Sequence, residues 1–288
     1  MINALTALMN TDRMLGAAFG DTAGSVYEWD NIKYKLQPEE LYRSDCTFTD
    51  DTVMTVAVAI GIADALRKVG KGWLGNPQAE KAIADNVEAE MVRLGLSFPG
   101  AGYGGRFADW LEDDNRQPYG SWGNGSAMRA SYAGWAADTL EEAERLAEIS
   151  ADVTHNCEDG ENGAKVVAGC IFLLRNGASK EEIRRYTERF YPLDFTLDDI
   201  RSGYRFDVSC HGTVPYAVEA FLEAEGFEDT ASLALSIGGD SDTLAAIACS
   251  IAEACYPVPK RAKEFVLSRL HPALCRDLAE SIEYLRAV

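Results

Sequence analysis

Two short acidic clusters carry the residue types for chemistry in this chain, Thr49-Asp50-Asp51-Thr52 and Gly239-Asp240-Ser241-Asp242-Thr243. Each stands just ahead of a run of apolar and small residues, 53–60 and 244–251, of the kind that forms a buried helix. A helix start exposes unpaired N–H groups and a partial positive charge, which favours carboxylates as anions. Thr and Asp are ordinary N-cap residues, so capping explains either cluster taken alone. The pair is harder to explain that way. Gly238-Gly239 permits close backbone approach ahead of Asp240, and Asp240-x-Asp242-Thr243 puts two carboxylates and a hydroxyl on one turn. Face to face, the two ends offer the carboxylates of Asp50, Asp51, Asp240 and Asp242 and the hydroxyls of Thr49 and Thr243 to one small volume. Carboxylates that close repel one another unless a cation neutralises them, and an all-oxygen donor set suits Mg²⁺, Mn²⁺ or Ca²⁺ rather than zinc or copper. Two ions about 3.5–4 Å apart are the natural arrangement for so many acids.

The clusters lie 190 positions apart (240 − 50), so one domain has to bring both ends together. The pattern is helical almost throughout. Residues 11–26 form an apolar run with Gly16, Gly20 and Gly24 at four-residue spacing, a row that lets another backbone approach closely and predicts a central helix. Further helices are predicted over 52–68, 81–94, 106–111, 163–175, 230–236, 243–255, 260–270 and 272–286. Cap patterns at Thr139-x-x-Glu142, Ser179-x-x-Glu182 and Thr196-x-x-Asp199 start three more, and Pro215 suits the first turn of a helix closed by Gly226. No run alternates as a strand does. The expectation is a single all-α domain over residues 1–288. Two glycine-rich stretches, 99–105 and 118–125, interrupt the helices, and their aromatics Tyr103, Tyr119 and Trp122 suit ligand contact.

A net charge of −19 argues against broad binding to nucleic-acid phosphates or anionic membranes, and it leaves room for a small anionic ligand in a local pocket. Seven cysteines without paired spacing fit a reducing compartment better than a disulfide framework. With no Cys-x-x-Cys and three histidines, a structural zinc site is not expected. The first ten residues lack the basic start and long apolar run of a signal peptide, and no apolar stretch reaches membrane-spanning length. A cytoplasmic monomer is expected.

Taken in order, Gly16-Ala-Ala-Phe-Gly-Asp-Thr-Ala-Gly24, Phe48-Thr-Asp-Asp-Thr52, Gly102-Tyr-Gly104, Ser121-Trp-Gly-Asn-Gly-Ser-Ala-Met-Arg129, Thr154-His155 and Gly238-Gly-Asp-Ser-Asp-Thr243 resemble the ADP-ribosylglycohydrolase family. That group includes the dinitrogenase-reductase-activating glycohydrolases and the ADP-ribosylserine hydrolases. The resemblance runs from about residue 12 to about residue 257. It implies an all-α fold around a dinuclear Mg²⁺ or Mn²⁺ centre and cleavage of the bond between ADP-ribose and its acceptor. Thr49, Asp50, Asp51, Asp240, Asp242 and Thr243 would be metal ligands. Glu28 matches a mobile catalytic glutamate; as a residue between Tyr27 and Trp29 it also reads as a surface acid. Glu28 or a ligand aspartate such as Asp51 would accept the proton of the attacking water. Gly102, Tyr103, Gly104, Ser121, Trp122, Gly123, Asn124, Gly125 and His155 would contact the ADP-ribose moiety, with backbone N–H groups of the 121–126 loop facing its phosphates.

Trp122 could instead pack in the core near Trp135. Many bacterial relatives follow the histidine with a second His and a Pro, where Cys157-Glu158 stand here. The stretch Gly203 to His211 resembles a segment of a bacterial subgroup and would line the pocket, with Tyr204 or Cys210 as contacts. The leading function is a metal-dependent hydrolase releasing ADP-ribose from a protein side chain, nucleobase or small molecule. The alternatives are a catalytically silent ADP-ribose or nucleotide binder and a Mg²⁺-dependent nucleotide phosphohydrolase.

Overall fold

A computed structural model describes residues 2–287. In chain order the α-helices are α1 (Ile2–Met9), α2 (Gly16–Gly24), α3 (Asp50–Val69), α4 (Pro77–Ser97), α5 (Gly105–Glu112), α6 (Gly125–Met128), α7 (Ser131–Ala136) and α8 (Leu140–Asp152). They continue with α9 (Glu158–Arg175), α10 (Lys180–Thr187), α11 (Leu197–Ile200), α12 (Cys210–Glu223), α13 (Phe227–Leu235), α14 (Ser241–Ala252), α15 (Lys260–Leu267) and α16 (Pro272–Ala287). A 3₁₀ helix occupies Pro38–Tyr42. Among the described residues extended backbone pairs only at an isolated antiparallel bridge between Gly123 and Ser209. The fold is all-α, and one contiguous apolar core runs from Leu8 to Leu285.

The cap signals work as chemistry predicts. Thr139 accepts from the Glu142 amide, and Ser179/Glu182 and Thr196/Asp199 form reciprocal capping boxes. Some boundaries move. Helix α4 starts at Pro77 rather than near residue 81, because Asn76 accepts from the Gln78 and Ala79 amides and Pro77 fits the first turn. Helix α12 starts at Cys210, not at Pro215: the Ser209 side chain accepts from the Gly212 amide, and the proline lies inside the helix. Helices α1, α6 and α7 have no counterpart in the sequence reading. All three are short; α6 begins on the last glycine of the 118–125 stretch, α7 follows it after Arg129-Ala130, and neither has a capping side chain.

The frame of the molecule is α2 against α14. Every residue of both helices is buried. The glycine row predicted to admit a neighbouring backbone does so. A Cβ on Gly16 would lie 2.2 Å from the Cys249 carbonyl oxygen, one on Gly20 2.0 Å from that of Ala245, and one on Gly24 2.5 Å from Asp242 Cα. Helix α3 packs on both α2 and α14 and is itself covered by α4 and α16. The starts of α3 and α14 are thereby held beside the C-terminal half of α2.

Candidate active site

Asp21, in the buried middle of α2, organises the start of α3. Its carboxylate accepts from the Thr49 amide (2.9 Å to Oδ2), the Thr49 hydroxyl (2.7 Å to Oδ1), the Thr52 amide (3.0 Å) and the Thr52 hydroxyl. Capping therefore does not account for the acidic clusters: the N-cap residues of α3 and α14, Thr49 and Asp240, make no side-chain cap bond of their own. The carboxylates of Asp50 and Asp51 are left for another purpose.

The two clusters meet. Thr243 donates its hydroxyl to Asp51 Oδ2 at 3.2 Å across 192 positions of sequence. Asp21, Asp51 and Asp242 each bring a carboxylate oxygen within 4.8 Å of one another, and so do Glu28, Asp240 and Asp242, making Asp242 common to both groups. Asp240 is held by Asn124, whose amide donates to its Oδ2 at 2.7 Å and to Thr213 at 3.0 Å. Gly238 and Gly239 reach this geometry with φ of +65° and +79°, and a side chain on Gly239 would run into the ring of Tyr204.

Burial raises the pKa values of these acids, and repulsion from the other site carboxylates adds to it at Asp50, Asp51 and Asp242. Burial is the larger cause throughout. Asp51 and Asp242 are held well above the usual carboxylate range, Asp21 and Asp240 are raised, and Asp50 is pushed up to about 7 by burial and then by repulsion from Asp21. Asp51 Oδ1 is buried with no hydrogen-bond partner. An orphaned carboxylate oxygen inside a crowd of acids is what a hard cation site presents when its charge is counted without the ion. The donor set fits a divalent metal.

A cavity of ≈ 490 Å³ opens from this acidic floor. Its acidic side is formed by Glu28, Thr49, Asp50, Asp51, Asp240, Asp242 and Thr243, with Gly102 beside Asp50 and Asn124 on Asp240, and its other side by Arg106, Arg129 and Tyr119 around His155, with Gly123 and Gly125 against the histidine ring. Glu28 is half-buried there with its pKa raised by burial and by Asp240 and Asp21, so it is not a surface acid. Trp122 is 51% exposed, which rules out packing beside buried Trp135. The glycine loop is anchored from within: the Ser121 amide donates to Thr154 O, that of Gly123 to Ser121 Oγ, and that of Asn124 to Val208 O. Among the described residues this leaves, on the cavity lining, the amides of Trp122 and Gly125 without a protein partner, fewer than the full loop expected from sequence. Arg129 is buried beneath the loop, and Arg106 lies over the Tyr119 ring at 4.7 Å. A protein of net charge −19 has thus placed two guanidiniums at one end of its cavity and a crowd of acids at the other.

Other expectations meet the structure unevenly. Tyr103 is not among the lining residues; its ring packs on Phe107 at 5.4 Å and its hydroxyl is buried without a partner. Both N–H groups of the Asn124 side chain are taken by Asp240 and Thr213. From the 203–211 stretch, Phe206 and Val208 reach the cavity, whereas Tyr204 donates to Gly212 O and the Cys210 thiol to Gly123 O. At the mouth Trp29, 78% exposed, stacks on Phe206 with centroids 5.2 Å apart. Sequence reasoning assigns no role to Asp21, Arg106, Arg129 or Trp29. For Asp21 the signal is present: it is the one acid within the apolar glycine run of α2.

The ADP-ribosylglycohydrolase profile matches residues 11–283. Among curated proteins, the chain is 24% identical to the ADP-ribosylhydrolase ARH3 of Mus musculus over 323 aligned positions, covering 84% of this chain and 82% of that one. It is 30% identical to the ADP-ribosylarginine hydrolase Tri1 of Pseudomonas putida (strain GB-1) over 280 positions, covering 88% and 72%. A solved structure described as an ADP-ribosylglycohydrolase-related protein complex superposes over 99% of both chains with a TM-score of 0.59 at 22% identity, a likeness of fold. The chain belongs to the ADP-ribosylglycohydrolase family.

Proposed function

We propose that this protein is a divalent-cation-dependent hydrolase that releases ADP-ribose from a modified acceptor. The observation that carries the reading is the two-ended cavity: carboxylates and threonine hydroxyls at one end, two guanidiniums and a glycine loop at the other. A ligand with vicinal hydroxyls at one end of a pyrophosphate matches that polarity. Family membership and the names of the two relatives point the same way. The seven unpaired thiols suit a reducing, cytoplasmic setting.

Thr49, Asp50, Asp51, Asp240, Asp242 and Thr243 would hold the metal, Mg²⁺ or Mn²⁺ and as two ions in our reading, with Asp21 fixing Thr49 from behind. A bound cation supplies concentrated positive charge and Lewis acidity at that end. The chain's own groups do the rest. The glycine loop, with Arg106 and Arg129 around it, binds the pyrophosphate and fixes the ribose over the acids. Carboxylates beside the ribose C1 stabilise its oxocarbenium-like state as the bond to the acceptor breaks. Glu28, half-open to solvent at the cavity wall, accepts the proton of the water that attacks C1, the departing acceptor takes a proton from solvent, and Glu28 returns its own to solvent, so the step balances as water added across the bond. Asp51, enclosed and bonded to Thr243, is the less accessible candidate for that step.

Incubating the purified protein with Mg²⁺ or Mn²⁺ and acceptors carrying ADP-ribose on arginine, serine or a nucleobase tests the reading. Intact ADP-ribose is the expected product. AMP or phosphate instead would mark a nucleotide phosphohydrolase, and tight binding without product a silent binder.

A pH dependence follows from the raised acids. Their folded pKa values exceed the unfolded ones of about 3.9, so the folded chain holds protons that the unfolded chain releases. Stability from this source is full below the unfolded pKa and is lost as pH rises through the folded values, with Asp50 at about 7 marking the upper part of the window. In chelator, the melting temperature should fall between about pH 5 and pH 8. Saturating Mg²⁺ or Mn²⁺ should remove most of that slope. At about 100 times Kd a bound ion adds about 2.7 kcal/mol, which is about 5–10 °C for a chain this long. A flat profile in chelator would contradict the clustered acids.

A further inference from the structure

We infer that Arg129 and Thr154 act as positioning residues that fix the proton of His155 on Nε2, making this histidine a neutral hydrogen-bond donor for an anionic oxygen at the glycine-loop end of the cavity. The relay stands on geometry alone; naming that oxygen as a phosphate oxygen of ADP-ribose rests on the function proposed above.

The chain of donors starts at Arg129, which is 1% exposed and lines the cavity. Among the described residues no carboxylate pairs with it, and its Nε is buried without a partner. Its Nη2 donates to Ser150 O at 3.1 Å and to Thr154 Oγ1 at 2.9 Å. A guanidinium can only donate, so the threonine oxygen is the acceptor in that bond. Thr154 is fully buried, and its Oγ1 lies 2.7 Å from His155 Nδ1. The hydroxyl has one proton to give. With Arg129 on one side, the acceptor within reach for that proton is Nδ1. A proton on Nδ1 would instead aim two N–H groups at one oxygen and leave the hydroxyl proton buried without an acceptor, an arrangement folded proteins avoid. A neutral imidazole carries one N–H, which then sits on Nε2.

The ring is neutral because it is 4% exposed with Arg129 and Arg106 nearby; burial and those two charges hold its pKa well below the ordinary value. Its Nε2 edge faces the loop. A Cβ on Gly125 would stand 3.4 Å from Nε2 and one on Gly123 3.7 Å, so the glycines keep that edge open. Among the described residues Nε2 has no protein partner. In the other tautomer Nε2 would present a lone pair and repel an anionic oxygen. The relay therefore decides whether this wall of the cavity attracts or rejects a phosphate.

Two-bond ¹H–¹⁵N NMR of the full chain at neutral pH reads the tautomer directly, since the protein has three histidines and a His155→Gln variant assigns the signal. The expected result is protonated Nε2 and bare Nδ1 in the wild type. Thr154→Val, which keeps the shape and removes the hydroxyl, should give a mixture of tautomers. It should also raise KM, and Kd for free ADP-ribose, about tenfold with kcat changed by less than about threefold. Thr154→Ser should restore both readouts. A wild-type His155 protonated on Nδ1 overturns the relay without any variant having to fold, and so does an unchanged tautomer in folded Thr154→Val. An Nε2-protonated His155 whose signal stays put on addition of ADP-ribose overturns the ligand assignment and counts against the proposed substrate, while upholding the relay.

Discussion

Asp242→Asn should lower ADP-ribose release by about 10²–10³-fold or more, and should raise the melting temperature of the cation-free protein. The two effects have one cause. Asp242 is the acid common to both carboxylate groups, so no other single change removes as much of the cation site. It is also buried, and burial, with Asp51, Asp240, Asp21 and Glu28 beside it, opposes its ionisation, so at neutral pH the cation-free fold has to hold it protonated where the unfolded chain would release the proton, a cost that Asn does not carry. Asn keeps the shape and the Oδ1 that accepts from the Thr243 amide at 3.0 Å, so the start of α14 survives. Melting curves in chelator and in saturating Mg²⁺ or Mn²⁺, with far-ultraviolet circular dichroism as a control, check the prediction. The variant should melt higher than wild type in chelator and gain much less from the cation. A variant that melts lower in chelator and keeps wild-type turnover would mean that Asp242 serves α14 and not a metal.

The parts of this protein that sequence makes legible are those where one residue type has few physical uses. A glycine every fourth position in an apolar run means close backbone contact, and α2 meets α14 on that row. Acids at two helix starts with no partner in their own neighbourhood point to a shared site, and the hydroxyl of Thr243 on Asp51 joins them. Cap pairs such as Ser179 and Glu182 read directly because both halves lie within one turn. What stays illegible depends on distance in the chain. Asp21 looks like a single acid in an apolar helix until α3 folds onto it. Arg129 looks like the end of a glycine-rich motif; only Thr154, Ser150 and the depth of the cavity give it a role. Trp122 and Trp135 are indistinguishable by type, and the fold exposes one and buries the other. The free amides of the glycine loop are fewer than its sequence suggests for the same reason, since carbonyls of Val208 and Thr154 come from elsewhere to take them.

Gly20→Ala should destabilise the protein by about 3 kcal/mol, or about 6–12 °C in melting temperature, although alanine is the better helix former. In an exposed helix the exchange would gain about 1 kcal/mol. Here the added methyl would sit 2.0 Å from the Ala245 carbonyl oxygen, 2.2 Å from its carbon and 2.5 Å from the Ala246 nitrogen. These are backbone atoms of a helix buried along its whole length, so no side chain can turn aside to make room. Relief has to come from α2 moving away from α14 as a body. The next residue on α2 is Asp21, whose four accepted hydrogen bonds hold Thr49 and Thr52. Turnover should therefore fall further than the unfolded fraction explains, and cation affinity should fall with it, measured well below the melting transition where the variant is fully folded. Normal turnover at that temperature, with only the melting point lowered, would show that α3 finds its place without Asp21. A wild-type melting point would mean that α2 and α14 are not in backbone contact at all, and the convergence of the two acidic turns would lose the element that enforces it.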